Sequence, residues 1–354
     1  MRRVVPLTLG LVSVLSGCST PASWVQTVTS AIPSNSGTPN SVASFGKYEF
    51  VSVQGTGQIF TYNVSGVSPT LAVPAYTTPC KDPSGMVIAT IAGNSVMAVA
   101  CFDTGSLLTL AIHSDGSLTP LGSVSGLPTP YPGIALDGTD VFLPLFGHNL
   151  VENGAVARVS IASPAAPAIT GIAALSNPAP GEFANPGFLT VAGGYVFVAA
   201  GSEDAPQSTS STIQVVNEST MALVGTPFVV AHSPQQIAIQ GNVAYVTLFD
   251  TPQLVSVDIS NPASLHSLQT LSLASPSATC HALPVLVRNN IAYVGCYVEG
   301  TVEEFDISTP TAMWLTHSIS AIDSPQRMNV IGSDLLVASS RSGGRLYQIA
   351  MPPP

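Results

Sequence analysis

The chain has 354 residues, a formal net charge of −10, a mean hydropathy of +0.41 and only 8% charged residues, where ordinary soluble domains have roughly 25%. So acidic a chain, with no basic stripe, is a poor nucleic-acid binder and has no electrostatic hold on anionic lipid. After the first twenty residues no apolar run reaches the ~18 residues of a spanning helix, so Ser, Thr, Asn, Gly and Pro must supply the polar surface.

Met1-Arg2-Arg3 and the apolar run from Val4 to Leu15 have the order of a secretory signal. Leu15-Ser16-Gly17-Cys18 resembles the lipobox of bacterial lipoproteins. The resemblance implies removal of residues 1–17, a lipid on Cys18 as the sole membrane anchor, and an exported protein tethered to the cell envelope. Ser19 resembles the outer-membrane sorting pattern, since an Asp there would suggest retention at the inner membrane. The alternative is an ordinary cleaved signal with an incidental Cys. Residues 18–23 are then a lipidated tether and 24–354 a single domain.

Trp24–Thr29 reads as a strand, and 30–40, rich in Ser, Pro, Asn and Gly, as a linker. A motif then recurs: Gly or Asn followed by a short β-branched and aromatic run. It starts at Gly46, Gly93, Gly138, Gly193, Gly241, Asn289 and Gly332, a spacing of 43 to 55 residues. Gly-Asn, Gly-Gly and Asn-Asn suit tight hairpin turns because they tolerate positive φ. An apolar run precedes each turn (Met86–Ile91, Gln236–Ile239, Val285–Val287), and a third strand ends in turns such as Val257-Asp-Ile-Ser-Asn-Pro262 and Phe305-Asp-Ile-Ser-Thr-Pro310. A fourth strand follows, as at His266–Leu273.

Seven repeats of four antiparallel strands predict an all-β, seven-bladed β-propeller, with a pair of β-sandwiches as the competing arrangement. Gly241-Asn-Val-Ala-Tyr-Val and Leu254-Val-Ser-Val-Asp-Ile-Ser-Asn-Pro262 resemble YVTN/LVIVD-type, lactonase-like repeat propellers. The likeness extends over most of residues 39–350 and is strongest in the fifth and sixth repeats. The last repeat has only three strands before Met351-Pro-Pro-Pro. Residues 24–29 are therefore expected to supply its fourth strand and close the ring, removing an exposed edge. Otherwise Ser19–Asn40 is a flexible tether. Closure would put Cys18 near the face carrying the first-to-second-strand turns, the bottom.

With Cys18 lipidated, Cys80, Cys101, Cys280 and Cys296 remain. An even number in an exported chain reads as disulfides. The two pairs hold equivalent places in the second and sixth repeats, which are not neighbours in a seven-membered ring. The expected pairing is therefore Cys80–Cys101 and Cys280–Cys296. A metal site is the weaker reading, because only His281 accompanies them.

No catalytic motif stands out among the serine-elbow, zinc-protease and Ser-x-x-Lys patterns. The loops expected on the opposite, top face carry Asp82, Asp103, Glu152, Glu182, Glu203, Asp204, Asp250, Glu299 and Asp323, with His148 and His281. Two long loops, Leu145–Gly154 and Gly201–Thr212, place His148, Glu152, Glu203 and Asp204 on adjacent blades. Such charges can equally be ordinary loop surface. Two functions compete. One is a binding scaffold whose top face takes an envelope protein, a peptide or a glycan. The other is a lactonase-like hydrolase, in which Asp82, Asp103, Glu182, Asp250, Glu299 and Asp323 hold a divalent ion such as Ca²⁺ over the channel and His281 or His232 acts as base. The hydrolase rests on fold analogy.

Overall fold

The structure, a computed structural model, describes residues 25–33, 37–147, 153–177, 183–201, 211–273, 280–340 and 344–351. Cys18, His148, Glu152, Glu182, Glu203 and Asp204 lie outside the described residues. Seven antiparallel sheets form the ring, and the described residues include no helix.

Blade 1 comprises Thr38–Phe45, Tyr48–Gln54, Gln58–Asn63 and two short outer segments, Thr70–Leu71 and Tyr76–Thr77, both paired with its third strand. Blades 2 to 6 begin with inner strands Pro83–Ile91, Ala135–Asp137, Pro186–Ala192, Pro234–Gln240 and Ala282–Arg288. Blade 7 has Pro325–Ile331, Asp334–Ser339 and Arg345–Ala350, and Val25–Ala31 adds the fourth strand. The closing strand runs antiparallel, with Val25 opposite Ala350 and Ala31 opposite Arg345. The closing strand covers the outer edge of Arg345–Ala350 and becomes the outermost strand of the blade.

Each inner strand is joined to the second by a tight turn on the bottom face. Gly193 and Gly194 hold φ of 59° and 84°, and Asn289 and Asn290 do the same work at 51° and 63°. These left-handed values suit the hairpin turn whose twist matches its strands. Second strands are buried on both faces; Asn94–Cys101 is buried from Val96 onward. Outer strands such as Leu118–Ser125 are mostly exposed.

The core consists of one apolar cluster at each blade interface. Phe50 and Ile59 of blade 1 meet Met97 and Val99 of blade 2. Val51 and Tyr62 on the other face of blade 1 meet Leu336 and Leu346 of blade 7. Apolar burial thus holds each blade to both neighbours, which explains how a chain with so few charges folds stably.

Both expected disulfides form. Cys80–Cys101 and Cys280–Cys296 tie the approach to an inner strand to the end of the second strand, on the top face of blades 2 and 6. Such bonds belong to proteins of an oxidising compartment.

Candidate functional site

The top end of the inner strands follows a rule of its own. Five of them open on a polar residue and a proline: Thr38-Pro39, Asp82-Pro83, Asn185-Pro186, Ser233-Pro234 and Ser324-Pro325; in blade 3 the pair Thr129-Pro130 stands ahead of Ala135–Asp137, with Pro130 bridged to Leu145. Blade 6 has His281-Ala282 instead. Inner strands face the channel with one edge, so a proline without an N–H is tolerated at their first residue. The carbonyls of Asp82, Thr129, Asn185, Ser233, His281 and Ser324 accept hydrogen bonds of 2.8–3.2 Å from the residues that follow the second strands: Phe102, Phe146, Gly201, Phe249, Tyr297 and Ser340. Just after the proline position the ladder slips, as between Pro39 and Ser41, Pro83 and Gly85, and Pro325 and Arg327. Such a bulge re-aims the next side chain.

Those re-aimed residues converge on the axis. Asn40, Ser84, Tyr131, Gly187, Gln235, Leu283 and Gln326, one from each blade, line a top-face cup of about 430 Å³. Gln54, Phe102, Phe249 and Tyr297, at or just after the ends of second strands, add to its wall. Hydrogen bonds between blades hold the wall in place. Ser84 Oγ donates to the Pro130 carbonyl at 2.9 Å, and Thr247 Oγ1 to the Leu283 carbonyl at 2.9 Å. Ser340 Oγ donates to the Tyr297 hydroxyl at 3.1 Å. Three of the residues before a proline, Thr129, Ser233 and Ser324, hold left-handed φ of 40°, 63° and 51°. Backbone strain of this kind concentrates at functional sites.

The floor of the cup is Arg327 from blade 7. Its guanidinium is 4.9 Å from the ring of Phe188 in blade 4, on the far side of the channel. Nε donates to the Asn40 carbonyl at 2.7 Å and Nη1 to the Gln326 carbonyl at 2.6 Å. The residue is only 6% exposed. Pro132, Phe188 and Arg327 also border a smaller cavity of about 140 Å³ lower in the channel, so they partition it. Gly133 permits this. Its backbone pairs with Phe188, and a Cβ there would lie 2.3 Å from the Phe188 Cα.

The acids expected at the mouth do other work. Asp82 accepts from the Gly55 amide at 2.8 Å, and Asp103 accepts from the Lys81 and Asp82 amides at 3.0 and 3.2 Å. These carboxylates cap the loop around Cys80. Glu299 accepts from the His281 amide at 3.0 Å and holds its Nδ1 at 2.7 Å. Glu299 and Asp323 meet in a separate cleft between blades 6 and 7, with Arg345 and Tyr347. Asp250 follows Phe249 and does not line the cup. Thus Asp82, Asp103, Asp250, His281, Glu299 and Asp323 all stand outside the cup lining. Among the described residues no group of three His, Cys, Asp or Glu is placed to hold a metal ion. The described lining residues bring amides, aromatic rings and one guanidinium to the cup and no carboxylate, whereas a divalent cation needs converging oxygen ligands.

His281 and Glu299 form a dyad at the rim, with the Phe249 ring 5.4 Å from the imidazole. A carboxylate on Nδ1 orients a histidine for proton transfer at Nε2. The cup residues themselves were missed in the sequence, although the recurring polar-Pro pair and the aromatics after the second strands were visible there.

This architecture defines the protein as a seven-bladed β-propeller. Residues 233–269, the fifth blade, match the LVIVD repeat. Comparison with curated protein sequences finds no match. Among solved structures, Kuenenia stuttgartiensis hydrazine synthase is similar with a TM-score of 0.72 at 11% identity, over 89% of this chain and 96% of that one. The periplasmic gluconolactonase of Pseudomonas aeruginosa is similar with a TM-score of 0.64 at 16% identity, over 82% of this chain and 88% of that one. BamB from Moraxella catarrhalis gives 0.55 at 10% identity, over 93% and 100%. Likeness at these identities is a likeness of fold.

Proposed function

We propose that the protein is an exported, lipid-anchored component of the bacterial cell envelope that binds its ligand in the top-face cup. The cup carries this reading: residues from all seven blades are turned onto one axis and held there by hydrogen bonds between blades. A largely preformed concave site with a few placed polar groups is the usual form of a binding site. The disulfides support export. The lipobox-like Leu15-Ser16-Gly17-Cys18 supports the anchor and Ser19 the outer membrane. Cys18 is seven residues before Val25, the bottom end of the closing strand. At ~3.3–3.6 Å per residue the lipid then attaches within ~25 Å of the bottom rim, and the cup faces away from the membrane, toward an envelope protein, a peptide or a glycan.

The test is ligand retention by the protein purified from its own membranes. Native mass spectrometry of the wild type should show a bound species that Tyr297→Ala loses. A species kept by Tyr297→Ala and lost on substitution of the exposed outer-strand Trp314 would overturn the cup as the site. A Cys18→Ala variant should leave the membrane fraction.

The His281–Glu299 dyad favours a second reading, metal-independent hydrolysis at the rim. Lactone hydrolysis abolished by His281→Gln in the presence of EDTA would establish it; no turnover would remove it.

A further inference from the structure

We infer that the cup is a slot for a single pyranose ring, held between two walls of aromatic side chains; this rests on the cup being the binding site. The first residue past the second strand is aromatic in four blades: Phe102, Phe146, Phe249 and Tyr297 of blades 2, 3, 5 and 6. In blades 1, 4 and 7 the same place holds Gly55, Gly201 and Ser340. The aromatic residues therefore stand in two pairs across the ring from each other, with gaps at blade 4 and at the seam of blades 7 and 1. Tyr131 completes the first wall, stacked on Phe146 at 5.2 Å and edge-on to Phe102 at 6.1 Å. Phe249 and Tyr297 form the second, their centroids 6.3 Å apart. Phe102, Tyr131, Phe249 and Tyr297 line the cup and are half-buried.

Both walls are set before a ligand arrives. The amides of Phe102, Phe249 and Tyr297 donate to the carbonyls of Asp82, Ser233 and His281 at 3.0, 2.9 and 2.9 Å. Phe102 and Tyr297 directly follow Cys101 and Cys296, so a disulfide anchors one ring in each wall. A ligand entering so fixed a site is spared the cost of ordering it. At the seam, between the walls, Asn40 and Gln54 of blade 1 and Gln326 of blade 7 bring amide side chains to the lining. An amide both donates and accepts. The slot thus suits a disc with apolar faces and a rim of donors and acceptors. An aromatic or proline side chain has the faces without the rim. A nucleobase has both, but its flat faces call for parallel rings, whereas adjacent rings are inclined by 68° in the first wall and 55° in the second. A puckered pyranose meets such tilted surfaces. Its axial C–H hydrogens, partly positive, pack on ring faces that carry partial negative charge, and its equatorial hydroxyls reach the amides. A volume of about 430 Å³ is near the lower end of ligand pockets and suits one such unit.

The experiment is titration calorimetry of the full-length protein, in a detergent without a sugar headgroup, with D-galactose, D-glucose and N-acetyl-D-glucosamine, and with galactitol and D-glucitol. The open-chain alditols carry the hydroxyls but no ring face. At least one sugar is expected to bind at least about tenfold more tightly than either alditol. Tyr297→Leu and Phe102→Leu keep apolar volume and remove a ring face, and each should weaken that sugar about tenfold. Tyr297→Phe, which keeps the ring, should retain most of the affinity. The two leucine substitutions stand on opposite walls, so either suffices if the other fails to fold. Equal binding of sugars and alditols would overturn the slot for a ring. Tighter binding of adenosine or L-phenylalaninamide than of any sugar would overturn the pyranose. Sugar binding unchanged in both Tyr297→Leu and Phe102→Leu would overturn this inference and the cup together. Binding of no sugar, with the retained species still lost in Tyr297→Ala, would overturn this inference alone and leave the cup standing.

Discussion

The two ends of the inner strands obey different rules. At the bottom, seven short hairpin turns all hold positive φ at the first turn position, and five use glycine there, with φ between 56° and 60°. Their residues vary little because one stereochemical requirement governs all of them. At the top, the backbone again repeats, through the polar-Pro opening and the bulge, but the next residue is Asn, Ser, Tyr, Gly, Gln, Leu or Gln. A constant backbone with varied side chains is the arrangement of a scaffold that presents a site. The bottom end shows what the fold needs; the top end shows what this protein adds.

Four perturbations break or sharpen that contrast. Deleting Val25–Ala31 should have the largest effect, because it opens blade 7 and touches both ends. Urea unfolding should show a loss larger than that of either disulfide, with aggregation through the exposed edge. An unchanged midpoint would mean that the ring does not depend on closure.

Removing one top-face staple comes next. Cys280→Ser with Cys296→Ser should cost about 3 kcal/mol in the chain-entropy account. Bottom turns should keep their amide protection while exchange near Ala282 accelerates. Uniform acceleration would instead mean that the bond supports the whole ring.

The third concerns a buried carboxyl near the bottom. Glu49 is fully buried between blades 1 and 7, where Ser44 donates to it and Asn329 in turn donates to Ser44. Burial pushes its pKa up to about 8, against hydrogen bonds from Ser44 and Asn329 that pull it down. The folded state therefore binds this proton more tightly than the unfolded state does. Stability from this group is full below about pH 4.5 and falls as pH rises toward about 8. Glu218 adds to the same slope, raised to about 7 by burial and by sharing a hydrogen bond with Asp137. Thermal melts should show Glu49→Gln flattening the decline. A wild-type midpoint that rises from pH 5 to pH 8, with the variant parallel to it, would contradict this.

The smallest effect tests the bottom rule itself. Gly194 has φ of 84° and open space where a Cβ would go. Gly194→Ala should therefore cost only the backbone preference, about 1 kcal/mol, and leave the cup unchanged. Calorimetry of the variant with a cup ligand checks both halves.

Much of the fold was legible in the sequence. The turn residues from Gly46 to Gly332 marked seven blades because positive φ is a local demand that only a few residue types meet. The inner strand of the last blade starts at Pro325: proline argues against a central strand, whereas an inner strand has one edge open to the channel. The candidate site was far less legible. Asp82, Asp103 and Glu299 have backbone amides and His281 as partners, and hydrogen bonds to loop backbone leave no mark in composition.

The sequence by itself determined the number of blades, the disulfide pairs and the need for an N-terminal strand, because each follows from local stereochemistry, spacing or counting. Only the tertiary structure decided which side chains share the axis. A bulge after the proline overrides the simple alternation of a strand. Ring closure then carries Arg327 across the channel to Phe188, a residue on the opposite blade to which no local pattern connects it.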